Sequence, residues 1–158
     1  MRISRVVTVV SATLLVSGSL LAGAGVASAG DVTSRSCDLT AKRIICPGAD
    51  LHGRDLRGVD LRGAVLHHAD LHGAILRKVD MRRVDLRAAN LADANLTNAN
   101  LTNANLTWAS LDFANLTNAN LTKANLTKAN LTDATLTSVT WTGAICPNGQ
   151  QGPYPCTP

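Results

Sequence analysis

Few side chains of this chain could carry chemistry, and the histidines come first among them. His52 and His72 lie 20 residues apart and each follows an aspartate by two residues, whereas His67 and His68 are adjacent. Imidazole is a common metal ligand, but a metal site also needs a convergent third ligand. The sequence shows no such ligand at a matching spacing, so we expect solvated histidines and no metal site.

The cysteines and the other polar residues form no catalytic pattern. The chain has no glutamate, no G-x-S-x-G motif, no phosphate-binding glycine loop and no cysteine beside a histidine. The cysteine spacings, C-x8-C and C-x9-C, lack the close pairs that are typical of zinc ligands. We therefore predict that the protein is not an enzyme and binds no cofactor.

Arginines are concentrated in one half of the chain. The net charge is +4 over residues 35–88 and −1 over residues 89–158. Such a surface is either ordinary mixed-charge solubility chemistry or a binding face for an anionic glycan, a nucleic acid or a membrane. Aromatic residues that would stack on bases are missing from this half, which argues against nucleic acid. The candidate anionic-ligand surface comprises Arg57, Arg62, Arg77, Arg82 and Arg87.

A five-residue period must position all of these side chains. A leucine falls on every fifth position from Leu51 to Leu136, with Met81 as the one exception, over 18 repeats. Five residues advance an α-helix by about 500°, so the leucines would drift around the cylinder. In a straight strand an odd period would place them on alternate faces. Both arrangements leave the leucines without a common core.

A short extended segment followed by a corner solves the problem. With the leucine called position i, residues i−2 and i share the inner side, i−1 points outward, and i+1 and i+2 turn the corner. Four such pentads close a square coil of 20 residues, and stacked coils give a rod on the order of 20 Å long. Arg54 occupies an inner i−2 position, so we expect a distorted first coil or an outward side chain.

The recurring phrase A-[D/N]-L-x-x, as in Ala94-Asn95-Leu96 and Ala124-Asn125-Leu126, resembles the pentapeptide-repeat family. This resemblance implies an all-β fold, a right-handed quadrilateral β-helix with positions i−2 and i inside. Some members of that family mimic DNA and inhibit a topoisomerase in the cytosol. That role needs an acidic rod, so we rank it low for a basic chain.

The chain divides into four segments. Residues 1–29 are typical of a secretory signal peptide, with a basic start, an apolar run and the small-x-small site Ala27-Ser28-Ala29. A membrane anchor is the alternative, but the polar content of the run and the cleavage site argue against it. Cleavage between Ala29 and Gly30 would give a secreted protein with no membrane span. An N-terminal cap at 30–48, a repeat region at 49–146 and an irregular tail at 147–158 follow.

The cysteines fit an oxidising compartment. Four cysteines allow three pairings, but disulfide Cα atoms lie within about 7 Å, whereas the two ends of the rod should lie about 20 Å apart. We therefore predict the disulfides Cys37–Cys46 and Cys146–Cys156, one at each end of the rod.

The formal charge of +4 falls to +2 when Arg2 and Arg5 leave with the signal peptide. Trp108 and Phe113 fall at outward i+2 positions and form a candidate contact patch.

The leading hypothesis is a secreted, non-catalytic scaffold that is structural or binds an unknown protein or ligand. The alternative is a binding module for an anionic ligand, and the oligomeric state stays open.

Overall fold

The computed structural model describes residues 37–151 and Cys156, and these residues form a β-solenoid. None of them is helical, and the strands are reduced to single-residue bridges at position i−1. The parallel bridges join residues 20 apart, beginning at Ile45↔Val65 and ending at Asn125↔Ile145. Each coil therefore contains four pentads, as the period predicts. No helix among these residues is long and apolar enough to cross a membrane.

A single apolar column fills the solenoid. Position i is buried in every pentad from Leu51 to Leu131, and alanine or valine at i−2 is buried beside it in nearly all of them. Alternation of a small and a large residue fills a narrow space without voids. Within the described residues no polar or charged side chain is buried. The predicted inward orientation of the leucines is confirmed, with Leu136 in the last coil only partly buried.

Arg54 is the exception that the sequence flags, and its side chain points outward. The residue is exposed, while its backbone stays in register: its carbonyl accepts a hydrogen bond from Ile75 N at 2.9 Å and Asp55 still bridges Ile75. Of the two expectations, the outward side chain is confirmed; the coil keeps its register at Asp55 but lacks the bridge between Asp60 and Asp80 that the repeat would place there. A charged group at the edge of the solenoid remains hydrated at little cost to the backbone ladder.

Each pentad satisfies its own backbone N–H groups almost completely. In the pentad of Leu51, the amides of Leu51 and Gly53 donate to the next coil, to Asp70 O at 2.7 Å and His72 O at 2.8 Å. The Arg54 amide closes the corner onto Leu51 O at 3.1 Å. The i−1 amide donates to the preceding coil, as Asp70 N does to Ala49 O at 2.9 Å. Only the amide at i+1 lacks a backbone acceptor.

Asparagine or aspartate at i−1 supplies that missing acceptor. Asp50 Oδ1 accepts the amide of His52 at 3.2 Å, and Asn100 Oδ1 accepts that of Thr102 at 3.2 Å. This is an Asx turn, and it recurs in the pentads whose i−1 residue is aspartate or asparagine. Between Leu51 and Leu136 the i−1 position has no such side chain in four pentads, at Val65, Ile75, Ser110 and Thr135. Ile45 and Ile145 also lack it, but there position i+1 is a proline, Pro47 and Pro147, which has no N–H to satisfy.

Every corner between residues 48 and 143 has a left-handed residue at i+2. The value of φ is +61° at Gly53, +52° at Ala88 and +58° at Asn98. With the amide of the next residue bonded to the leucine carbonyl, this is the pattern of a type II turn. Glycine adopts it freely, whereas an alanine there is strained.

Both ends of the described solenoid have a disulfide, Cys37–Cys46 and Cys146–Cys156, each with Cα atoms 5.3 Å apart. The predicted pairing is confirmed. At the C-terminal end the chain reverses after Pro147, so that Gln151 pairs antiparallel with Ile145. The predicted signal peptide and its cleavage site lie outside the described residues.

Candidate binding surface

Four Asp–Arg pairs cover the early coils. In each, the arginine at i+1 turns back on the aspartate two residues before it; Arg57 donates from Nε to Asp55 Oδ1 at 2.9 Å and from a terminal nitrogen to Asp55 Oδ2 at 2.6 Å. The same fork joins Arg82 to Asp80 at 2.9 and 2.7 Å. The four pairs are Asp55–Arg57, Asp60–Arg62, Asp80–Arg82 and Asp85–Arg87.

These forks lower the pKa of the carboxyl groups. The side-chain hydrogen bond from Arg57, aided by its backbone amide, lowers the pKa of Asp55 to about 2. Arg62 has the same effect on Asp60, whose pKa is also about 2. The arginine pKa values rise in return. Each pair is therefore fully ionised near neutral pH and contributes no net charge.

Arg77 differs from the other four predicted arginines. The residue two positions before it is Ile75, so the carboxylate partner is missing. Among residues 37–151 no carboxylate lies within ion-pair distance of Arg77, of Lys78 or of Arg83. The positive charge of the early coils is thus carried by side chains outside the forks.

Arg62 and Arg82 stack one coil apart and form part of a shallow depression. Their charges influence each other's pairs, since Arg82 lowers the pKa of Asp60 and Asp80 raises that of Arg62. The depression has a volume of about 480 Å³. It is lined by Arg62, Gly63, Arg82, Arg83, Thr102 and Asn103. Arg57 and Arg77 lie on the preceding corner of the coil, and Arg87 on the following one.

The histidines stack but form no metal site. The rings of His52 and His72 are 5.0 Å apart and nearly parallel, and His72 Nδ1 lies 3.7 Å from Asp93 Oδ2. His67 and His68 meet edge to face with ring centres 5.4 Å apart. No group of three metal-ligating side chains occurs in the described part of the chain.

Trp108 and Phe113 are exposed on adjoining corners. They are 61% and 58% exposed, and both hold left-handed backbone, with φ of +63° and +58°. The Lys128 ammonium lies 4.1 Å from the centre of the Trp108 ring, as its position one coil further along predicts. The candidate contact patch therefore presents two large rings at positions where the backbone would favour glycine.

The later coils carry an uncharged version of the same motif. Thr102 Oγ1 donates to Asn100 Oδ1 at 2.7 Å, and Thr117 Oγ1 donates to Asn115 Oδ1 at 2.7 Å. The threonine hydroxyl thus takes the place that the arginine Nε holds in the early coils. These coils offer neutral, locally satisfied hydroxyl and amide groups to solvent.

Sequence reasoning missed two features of this surface. It treated the arginines at i+1 as one class, although the residue at i−1 decides whether each is paired. It also left out Arg83, a cation at i+2 that lines the depression. The signal for both was present in the sequence: Asp or Ile two residues before each arginine, and Gly63 one coil before Arg83.

The chain matches the family model "Pentapeptide repeats" in eight copies, over residues 45–83, 80–112 and 104–143. No curated protein sequence matches it. Among solved structures it is similar to HetL, a pentapeptide repeat protein involved in heterocyst differentiation regulation in the cyanobacterium Nostoc. The identity is 36% and the TM-score 0.67, over 68% of this chain and 51% of HetL.

Two further structures share the fold. A Nostoc pentapeptide repeat protein, alr5209, is 35% identical over 55% of this chain and 73% of that one, with a TM-score of 0.50. QnrB1, a plasmid-mediated fluoroquinolone resistance protein, is 21% identical over 63% of this chain and 51% of its own, with a TM-score of 0.59. This chain thus spans about half the length of HetL and QnrB1. These relatives form right-handed β-helices, which confirms that part of the predicted fold class.

Proposed function

Since the chain belongs to the pentapeptide-repeat family, we propose that it is an exported, non-catalytic scaffold whose rigid surface binds a partner. Proteins of this family are generally structural or interaction proteins. The observation that carries the proposal is that the five positions of a pentad have different roles. Positions i−2 and i are used for the core and the i−1 oxygen for the backbone, so i+1 and i+2 are left free to vary.

Export is supported by the leader and by the cysteines. All four cysteines are paired, and stable disulfides are typical of oxidising compartments. The full chain should be expressed in a secreting bacterial host and the culture fluid analysed by intact mass. We expect a protein that begins at Gly30 and has lost four thiol hydrogens. Ala29→Phe, which blocks small-residue cleavage sites, should retain the leader. Unprocessed wild-type protein inside the cells would contradict export.

The contact patch gives a separate test of the scaffold role. Trp108→Asn and Phe113→Asn replace the rings with the residue found at the same corner position in Asn98 and Asn103, so the fold should be preserved. Cross-linking in culture fluid of the producing organism should give a defined partner with the wild type and less of it with the double variant. The same recovery with both proteins would exclude this patch.

An anionic-ligand function is the second candidate, and the unpaired cations Arg77, Lys78 and Arg83 favour it. Four of the five predicted arginines are neutralised in pairs, so the uncompensated positive charge comes from the remaining cations. Retention on a heparin column at low salt tests it, and flow-through would contradict it.

Inhibition of a topoisomerase by DNA mimicry has weaker support. The chain is 21% identical to QnrB1, and this likeness shows the fold alone. A DNA mimic requires a negative surface to replace the phosphate backbone, whereas residues 35–88 carry a net charge of +4. We expect no inhibition in a supercoiling assay at micromolar protein.

A further inference from the structure

We infer that the depression at Arg62, Arg82 and Arg83 is a binding site for a tetrahedral oxyanion, the sulfate or phosphate ester group of a polyanionic chain. The inference rests on the scaffold function proposed above, because it names the ligand class for one of the surfaces that the rod exposes. It does not depend on export. The site lies on one corner of the solenoid, and its side chains come from three consecutive coils, at residues 62–63, 82–83 and 102–103.

A glycine leaves one corner position of the depression open. Gly63 lies one coil before Arg83 at the same corner position, and a Cβ added there would meet nothing within 4 Å. Later in the same column the position holds Asn103 and then Lys123. The open space over Gly63 leaves room for an ester group beside the Arg83 side chain, with Asn103 on the far side. An asparagine amide adds neutral donors to the guanidinium groups.

The two paired arginines keep donors for a ligand. Arg62 uses Nε and one terminal nitrogen on Asp60, and Arg82 uses the same two nitrogens on Asp80. A guanidinium has five N–H groups, so the second terminal nitrogen of each remains available. The forks also fix the orientation of both side chains before a ligand arrives, which reduces the entropy lost on binding.

The charge balance points to an anion as the occupant. Asp60 and Asp80 neutralise Arg62 and Arg82, but each carboxylate is engaged in its own fork. Arg83 lies outside these pairs and has no carboxylate at ion-pair distance among the described residues. It also holds a strained left-handed backbone, with φ of +59°. The depression is therefore lined by one uncompensated positive charge and by two guanidinium groups with N–H donors to spare, and guanidinium groups bind oxyanions through charge-assisted hydrogen bonds.

Arg83→Gly is the decisive variant because we expect it to leave the fold intact. Glycine relieves the left-handed strain, and Gly63 already occupies the equivalent corner one coil away. Lys123→Gly is the matched control. It removes one positive charge from the same repeat position and the same corner, with φ of +56°, two coils or about 10 Å from Arg83. Both variants have the same net charge.

The measurement is fluorescence anisotropy with the oxidised recombinant chain at two salt concentrations. One probe is a labelled heparin-derived hexasaccharide, which carries sulfate esters, and the other is labelled inorganic polyphosphate, which carries phosphate groups. We expect Arg83→Gly to weaken binding of at least one probe about tenfold, the effect of losing one charge-assisted contact. Lys123→Gly should change the dissociation constant by less than about twofold. The probe that shows the difference identifies whether the site prefers sulfate or phosphate.

Two outcomes would overturn the inference. Equal losses in the two variants would mean that the probes sense overall charge rather than this site. No binding of either probe by the wild type at low salt would mean that the depression is not an anion site. Neither result would bear on export, because processing at Gly30 is measured independently, nor on the Trp108 patch, whose partner is captured separately.

Discussion

The early and late coils of this solenoid share one core and differ in the chemistry of their corners. In the early coils, residues 45–88, four pentads pair aspartate at i−1 with arginine at i+1, and the left-handed position is often glycine. In the late coils, residues 89–143, asparagine is paired with threonine, and the left-handed position holds a side chain in most pentads. The hydrogen-bond ladder is the same in both.

The comparison teaches that the i−1 oxygen serves the backbone equally well with or without a charge. Asp80 Oδ1 and Asn100 Oδ1 occupy equivalent positions, and each accepts the amide two residues further on, at 3.3 and 3.2 Å. The charge can therefore change along the rod while the coil stays constant. Each half can adapt its exterior to a different partner without altering the fold.

Truncation of a buried leucine should cause the largest loss of stability, and the loss should be the same in both halves. Leu61→Ala and Leu101→Ala each remove a fully buried side chain, and each should lower the free energy of unfolding by about 2–5 kcal/mol by leaving a cavity. Thr102→Ala, one residue further and outward, should cost about 1 kcal/mol or less. Urea titrations measure all three. Equal losses at Leu101 and Thr102 would contradict the inside–outside assignment.

Removal of the Asx oxygen at i−1 should cause the next largest loss of stability. Asn100→Ala leaves the amide and hydroxyl of Thr102 without their acceptor, and we expect a loss of about 1–2 kcal/mol. Asn100→Asp keeps the oxygen and brings the charge of the early coils into a late one, so its cost should be below about 0.5 kcal/mol. A large loss in the aspartate variant would show that charge, and not only the oxygen, distinguishes the two halves.

A smaller change should come from the left-handed corners. Ala88, at the boundary between the halves, has φ of +52°, so Ala88→Gly should stabilise the protein by about 1 kcal/mol through relief of strain. Gly53→Ala, at φ of +61°, should destabilise it by a similar amount. Thermal unfolding of both variants checks the sign, and no stabilisation by Ala88→Gly would mean that the corner tolerates side chains freely.

Acidification should cause the smallest loss of stability, and this loss should come from the early coils. The pKa of Asp55 and Asp60 is lowered to about 2 by their arginine partners. A lowered folded-state pKa gives stability that is present above pH 4 and is lost as the pH falls through about 2. We expect the Tm of the wild type to drop by a few degrees across this window. A variant with Asp55→Asn and Asp60→Asn should drop less, because asparagine does not titrate, and equal drops would contradict the role of the forks.

The coil could be predicted from the sequence because few backbone conformations place a leucine inside at every fifth residue. The inward side of Leu101 and the pairing of Cys37 with Cys46 both followed from the geometry of a 20-residue turn. The corner conformation at Trp108 did not, because a left-handed φ is decided by hydrogen bonding in neighbouring coils rather than by the residue itself. The pairing of each arginine also escaped prediction, because it depends on side-chain reach across i−1 to i+1. The predicted anionic-ligand surface included Arg62 and Arg82 but left out Arg83, which lines the same depression from position i+2.

Successive pentads share one backbone ladder, in which each coil bonds to the coils before and after it. Duplication of a single in-frame repeat would leave the column of leucines intact and rotate every later column of surface residues by a quarter turn. Evolution could in this way turn the basic corner and the aromatic corner toward or away from each other without changing a residue in either.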